Sequence, residues 1–178
     1  RRSDPLDDER ERASLRQSVK DGAEHVMIVD LLRNDLGRVA LAGGVTVTAL
    51  MRDLTTPSVH HLESEICAQL PHDLPLSALL MATAPGGSIT GAPKSAAIDV
   101  IAELEEGPRG PYTGILGVVD AFGRGNASLL IRTWVRPDAG PGVLHVGGGI
   151  VVGSAPEAEW EETLHKASAF GSVTTAGA

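Results

Sequence analysis

Apolar positions change their period several times along this chain, and each change marks an element. From Leu6 to Val19 the spacing is helical, with Leu15 and Val19 at i, i+4 as candidate core positions. Pro5 after Asp4 reads as a helix start, and Asp7, Asp8 and Glu9 suit the first turn. Gly22 weakens the pattern, which resumes through Val26, Val29, Leu32 and Leu36. Val45 to Leu50 reads as a strand. Ser58 to Leu70 reads as a second, because Val59, His61, Ile66, Ala68 and Leu70 alternate with polar residues. Leu76 to Ala82 is a short predicted helix. A turn-rich stretch from Ala84 to Lys94 leads into a helix through Ile98, Ile101 and Leu104, ended near Gly107-Pro108. Three strand-like runs follow, Tyr112 to Phe122, Leu129 to Val135 and Val143 to Val152. A last helix runs from about Ala155-Pro156 to Phe170, and the small polar tail from Ser172 is expected to fray. This order predicts an α+β fold, with helices packed on a largely antiparallel sheet, in one domain without repeats or an interdomain linker.

Composition narrows the function classes. The 178 residues are 42% hydrophobic, enough for a globular domain with a core. A formal net charge of -8 and the lack of a basic stripe argue against a nucleic-acid partner. No apolar run is long enough to span a membrane. The single cysteine, Cys67, excludes an internal disulfide and fits a cytoplasmic protein; it lies in an apolar alternation and is expected to be buried filler. The chain opens on Arg1-Arg2 without a methionine, so a fragment or processed product is expected.

Acidic residues recur at helical spacing. Within Glu157 to Lys166, a helix places Glu159, Glu162 and Lys166 on one face, just after Gly147-Gly148-Gly149. Two carboxylates one turn apart suit a hard cation such as magnesium, and a lysine one turn on suits an anionic substrate group. The same spacing also describes a solvated acidic face with an i,i+4 Glu–Lys pair. Asp21 and Glu24 form a second such pair far away in the chain. Pro85 to Lys94 reads either as an anion cradle leading into a helix N-terminus or as a tight connection; it is not a Walker loop, because Ala92-Pro93 separates Gly91 from Lys94-Ser95. Arg132 lies in the apolar run Leu130-Ile131-Arg132-Thr133-Trp134, where it needs an anion, either a ligand or a structural carboxylate. His61 shares a strand face with Val59, the pattern of a satisfied core histidine. Tyr112, the only tyrosine, follows a turn.

Six blocks of the sequence, several of them holding residues named above, stand in a recognisable order. Met27-Ile28-Val29-Asp30-Leu31-Leu32-Arg33-Asn34-Asp35-Leu36-Gly37-Arg38-Val39 resembles a signature of the chorismate-using enzymes. That family comprises component I of aminodeoxychorismate synthase and of anthranilate synthase, with isochorismate and salicylate synthases as more distant relatives. Pro85 to Lys94, Arg109 to Gly114, Ile131-Arg132-Thr133, Gly147 to Val151 and Glu159 to Lys166 resemble five further blocks. Gly86 to Thr90 and Asp30 to Arg33 are more similar to the aminodeoxychorismate branch. An aspartate usual in the family near Val152-Gly153, and another near Asn126-Ala127, are absent.

The resemblance implies a function and a division of labour. Glu24 and Glu162 resemble direct magnesium ligands, and Asp21 and Glu159 outer carboxylates holding metal-bound water. Lys166 and the backbone at Thr90 and Gly91 resemble contacts to the ring carboxylate. Arg132 and Tyr112 resemble the grip on the pyruvyl carboxylate, with Gly147, Gly148 and Gly149 permitting close approach. His61 resembles the catalytic histidine beside the reacting ring. The implied activity is magnesium-dependent amination of chorismate, with ammonia from a glutamine amidotransferase partner. Anthranilate synthesis is the alternative of the same class, and a non-catalytic remnant that binds chorismate or a partner is the alternative of another. Family members are more than twice as long, so the chain is expected to be their C-terminal portion. The block with the nucleophilic lysine would precede it, and apolar surface would be left uncovered.

Overall fold

Helix α1 (Pro5–Gln17) begins where the Asp4 carboxylate accepts hydrogen bonds from the amides of Leu6 and Asp7, at 2.8 and 3.1 Å. Such a cap satisfies amides that have no partner inside the helix. The helical pattern breaks at Ser18, not at Gly22. Ser18 ends α1 and caps α2 (Val19–Gly37), its hydroxyl accepting from the Asp21 amide at 3.2 Å. Gly22 stays helical, and a Cβ there would lie 3.4 Å from Met51 Cε. Val29 is buried as its periodicity predicts. Val19 is instead 85% exposed, because the turn at Ser18 puts it at the open start of a new helix.

The computed structural model describes residues 3–57, 59–168 and 170–171. They divide into two units, one up to Thr83 and one from Ala84. In the first, α1 and α2 lie against an antiparallel hairpin of β1 (Val45–Thr55) and β2 (His60–Ala68). Val45 faces Ala68 and Thr55 faces His60, with irregular register between Val47 and Arg52. There Met51 takes a positive φ of 51°. Helix α3 (Leu76–Thr83) completes the unit beside α2. Arg12 Nη2 and Arg16 Nε reach the Asp53 carboxylate at 2.7 and 2.8 Å, pinning α1 to β1. Hydrogen bonds from Arg16, then Arg12, hold the Asp53 carboxyl below the usual carboxylate range. Cys67 is exposed, not buried filler, since it occupies the solvent row of β2.

The second unit holds α4 (Gly87–Thr90), α5 (Lys94–Leu104), β3 (Ile115–Val119), β4 (Gly125–Leu129), β5 (Thr133–Val135), β6 (Val143–His145) and α6 (Pro156–Ser168). Its strands are shorter than their apolar runs. The run from Tyr112 pairs only from Ile115, after Thr113 at φ 65°. Leu129 to Val135 divides into β4 and β5 at Arg132, where φ is 49°. Val143 to Val152 stops pairing at His145, before the glycines. β3 pairs with β4 and β5 with β6, both antiparallel. The class is α+β, with separate two-stranded sheets among the described residues where one larger sheet was expected. Every residue of β3 is exposed, including Leu116 at 66% and Val118 at 75%. The expected tail from Ser172 lies outside the described residues. Among the described residues, no helix is long and apolar enough to cross a membrane.

Candidate functional site

In the first unit, Asp21 is exposed and Glu24 half-buried near the start of α2. The next residue, His25, fixes this stretch. Its Nε2 lies 2.6 Å from Ser64 Oγ on β2, and the same hydroxyl accepts from the Met51 amide at 2.9 Å. The strand turns His60, not His61, inward. His60 Nε2 is 3.3 Å from Asp8 and its Nδ1 is 3.0 Å from Thr55 Oγ1. His61 is exposed, with no side-chain partner among the described residues. A groove of about 480 Å³ lies at the other end of α2, lined by residues including Asp30, Arg33, Asn34 and Gly43.

The second unit brings six of the candidates into one cluster. Glu159, buried, and Glu162, exposed, stand one turn apart on α6. Lys166 Nζ is 2.6 Å from Glu162 Oε1 and donates to the Gly147 carbonyl at 3.2 Å. A Cβ on Gly148 would lie 3.5 Å from Glu159 Oε2 and 3.9 Å from Lys166 Nζ. A Cβ on Gly147 would come within 2.8 Å of the Tyr112 hydroxyl, closer than real side chains tolerate. Any side chain at Gly147 would displace the Tyr112 hydroxyl, and Tyr112, Gly147, Gly148, Lys166, Glu159 and Glu162 share one locality. Gly149 is exposed in the same segment.

Thr90 and Gly91 close the turn of α4. The Thr90 hydroxyl donates to the Gly86 carbonyl at 3.0 Å and the Gly91 amide to the Gly87 carbonyl at 2.9 Å. Gly91 then takes a φ of 124°, a backbone that side chains strongly disfavour. Arg132 is exposed and makes no ion pair with an acidic side chain among the described residues, so its guanidinium is not committed to a structural carboxylate.

Sequence reasoning passed over Arg109 and His145 as individual residues. Arg109 donates to Glu105 through Nε and Nη2, the latter at 2.6 Å, and to the Ile89 carbonyl at 3.0 Å. Glu105 hydrogen bonding holds the Arg109 guanidinium above its usual range, and the Arg109 bond chiefly lowers Glu105. Helical spacing could not have revealed that pair, because α5 ends at Leu104 and Gly107-Pro108 lie between its partners. His145 stacks on Tyr112, and nothing in its local sequence marks it.

The cluster sets carboxylates beside a lysine and a phenol against glycine backbone, and its hard donors are carboxylate oxygens. Such donors fit magnesium chemically. Among the described residues, no three Asp, Glu, His or Cys side chains are gathered in one place for a metal.

The chain belongs to the chorismate binding enzyme family, which matches residues 1–172. Aminodeoxychorismate synthase component 1 of Escherichia coli (strain K12) is 48% identical over 163 residues, 92% of this chain and 36% of the relative. Anthranilate synthase component 1 of Streptomyces coelicolor is 45% identical over 172 residues, 96% of this chain and 33% of the relative. The chain thus spans about a third of the length of the curated relatives it matches. The crystal structure of anthranilate synthase component I from Streptococcus pneumoniae superposes with a TM-score of 0.78 at 34% identity, covering 92% of this chain and 37% of that one. A putative 2,3-dihydroxybenzoate-specific isochorismate synthase from Bacillus anthracis gives 0.76 at 26% identity, covering 93% and 44%.

Proposed function

We propose that this chain supplies the metal- and anion-binding part of a chorismate aminase that makes 4-amino-4-deoxychorismate in the cytoplasm. The observation that carries the reading is the cluster of Tyr112, Gly147, Lys166 and Glu162 around one glycine-rich segment. The 48% identity to an aminodeoxychorismate synthase component 1 favours the amination at C4. Lys166, poised between a carboxylate and a carbonyl, turns its ammonium to the ring carboxylate, with backbone from Thr90 and Gly91 beside it. Arg132 pairs the pyruvyl carboxylate through its planar fork, and the Tyr112 hydroxyl adds a hydrogen bond. His61 stands beside the reacting ring. Glu24 and Glu162 would hold magnesium directly, with Asp21 and Glu159 as outer carboxylates; the ion would supply charge neutralisation at the ring carboxylate and would favour departure of the C4 hydroxyl. Ammonia from a glutamine amidotransferase partner takes its place.

A second reading is anthranilate formation, favoured by relatives of that activity at 45% identity. Both readings are tested by assaying the 178-residue chain beside a version extended upstream to the length of its relatives. Magnesium and ammonia are supplied, and 4-amino-4-deoxychorismate, anthranilate and pyruvate are separated. The short chain is expected to be inactive and the extended one to form the C4 amine, because groups that act as a unit fail together. Turnover by the short chain would show the catalytic groups misassigned. Anthranilate with pyruvate would establish the second reading. Inactivity of both would leave a binding role only.

A further inference from the structure

Tyr112 is the only tyrosine of the chain, and its placement is not left to its own backbone. Its ring stacks on the imidazole of His145, with centroids 5.4 Å apart and 18° between planes. That separation is in the attractive range for offset rings. Arg109 places its guanidinium carbon 5.9 Å from the phenol centroid. The bonds of Arg109 to Glu105 and to the Ile89 carbonyl fix it in turn. His145 ends β6 opposite Thr133 of β5, so a paired strand delivers its ring. Two residues on, Gly147 leaves the space against which the Tyr112 hydroxyl sits. One short stretch of backbone therefore offers a ring to the phenol face and a gap to its hydroxyl.

We propose that His145 is a positioning residue that acts through Tyr112, holding the phenol so that its hydroxyl stays against Gly147. The geometry stands alone; the identity of the anion that Tyr112 meets rests on the chorismate reading above. The charged groups that share the locality are Arg109, Glu105, Glu159, Glu162 and Lys166.

The single tyrosine makes the test direct. The 178-residue chain labelled with fluorotyrosine gives one fluorine resonance. His145→Ala should move that resonance, because the phenol loses the ring stacked on its face. His145→Phe, which keeps a stacking ring, should hold it near its place in the unaltered chain. A resonance that coincides with the unaltered chain in His145→Ala would overturn the proposal. If His145→Ala fails to fold, which Trp134 and Trp160 fluorescence would report, His145→Leu decides, and an unmoved resonance in that variant overturns it. Chorismate affinity, with magnesium, is then measured by calorimetry on the version extended upstream. His145→Ala should weaken it roughly three- to tenfold, and His145→Phe should restore it. No binding by any extended variant, with the resonance results as expected, would remove the chorismate reading and leave the positioning role in place.

Discussion

In the first unit an eleven-residue strand pairs with a nine-residue one, and two arginines of α1 close on a single aspartate across the hairpin. In the second unit the strands run five residues or fewer, and glycines and turns set the geometry. The candidate groups follow the same division. Asp21, Glu24 and His61 sit on regular elements as ordinary-looking surface positions. Tyr112, Gly147, Gly148, Glu159, Glu162 and Lys166 touch or nearly touch one another. Regular structure hides chemistry in a spacing, while irregular structure reveals it as contact, because a close approach needs missing side chains and interrupted pairing.

The largest expected effect separates the two kinds of site. Gly147→Val forces a side chain into the space of the Tyr112 hydroxyl. Chorismate binding, followed by calorimetry on the extended enzyme, should fall by about a hundredfold or more, given the charge-assisted bonds at stake. Retained affinity would break the assignment of the cluster. Next, Arg132→Lys should cost about tenfold in affinity, since an ammonium cannot reproduce two parallel bonds. Unchanged binding would remove Arg132 from the grip.

Smaller effects concern the first unit. Asp53→Asn removes the charge that holds Arg12 and Arg16, and hydrogen exchange in α1 should accelerate while α6 serves as the internal reference. Acid should act in the same direction. Asp53 has a lowered carboxyl pKa, so its contribution is present above the unfolded-state value and is lost as pH falls through the folded one. Glu105, lowered chiefly by Arg109, follows the same sign in the second unit. Loosening of α1 should therefore grow below roughly pH 4. The mildest change, Ser18→Ala, should lower stability by about 1 kcal/mol in urea titrations through loss of the α2 cap.

Helix starts at Asp4-Pro5 and Pro156 were legible because caps and the 3.6-residue period are local signals, whereas the break at Ser18 and the short α4 were missed. β1 and β2 were legible as a pair of strands but not in their inward face: His60 and His61 adjoin, and only pairing register decides which turns in. The run Leu129 to Val135 misled because apolar content does not record a left-handed residue. The α6 cluster was readable from i, i+3 and i+7. Its meeting with Gly147 and Tyr112 was not, since those contacts join stretches of chain far apart in sequence. His145 left no trace, because stacking has no spacing rule across separate turns.

Arg132 stands at a φ of 49°, a conformation in which glycine is at ease and an arginine is disfavoured by about 1–2 kcal/mol. Folding alone would select a smaller residue there. Arg132→Gly should accordingly raise the melting temperature of the chain while erasing the grip on a carboxylate proposed for it. The position marks a point where thermal robustness and ligand recognition pull apart, and where a more durable protein would be a less capable one.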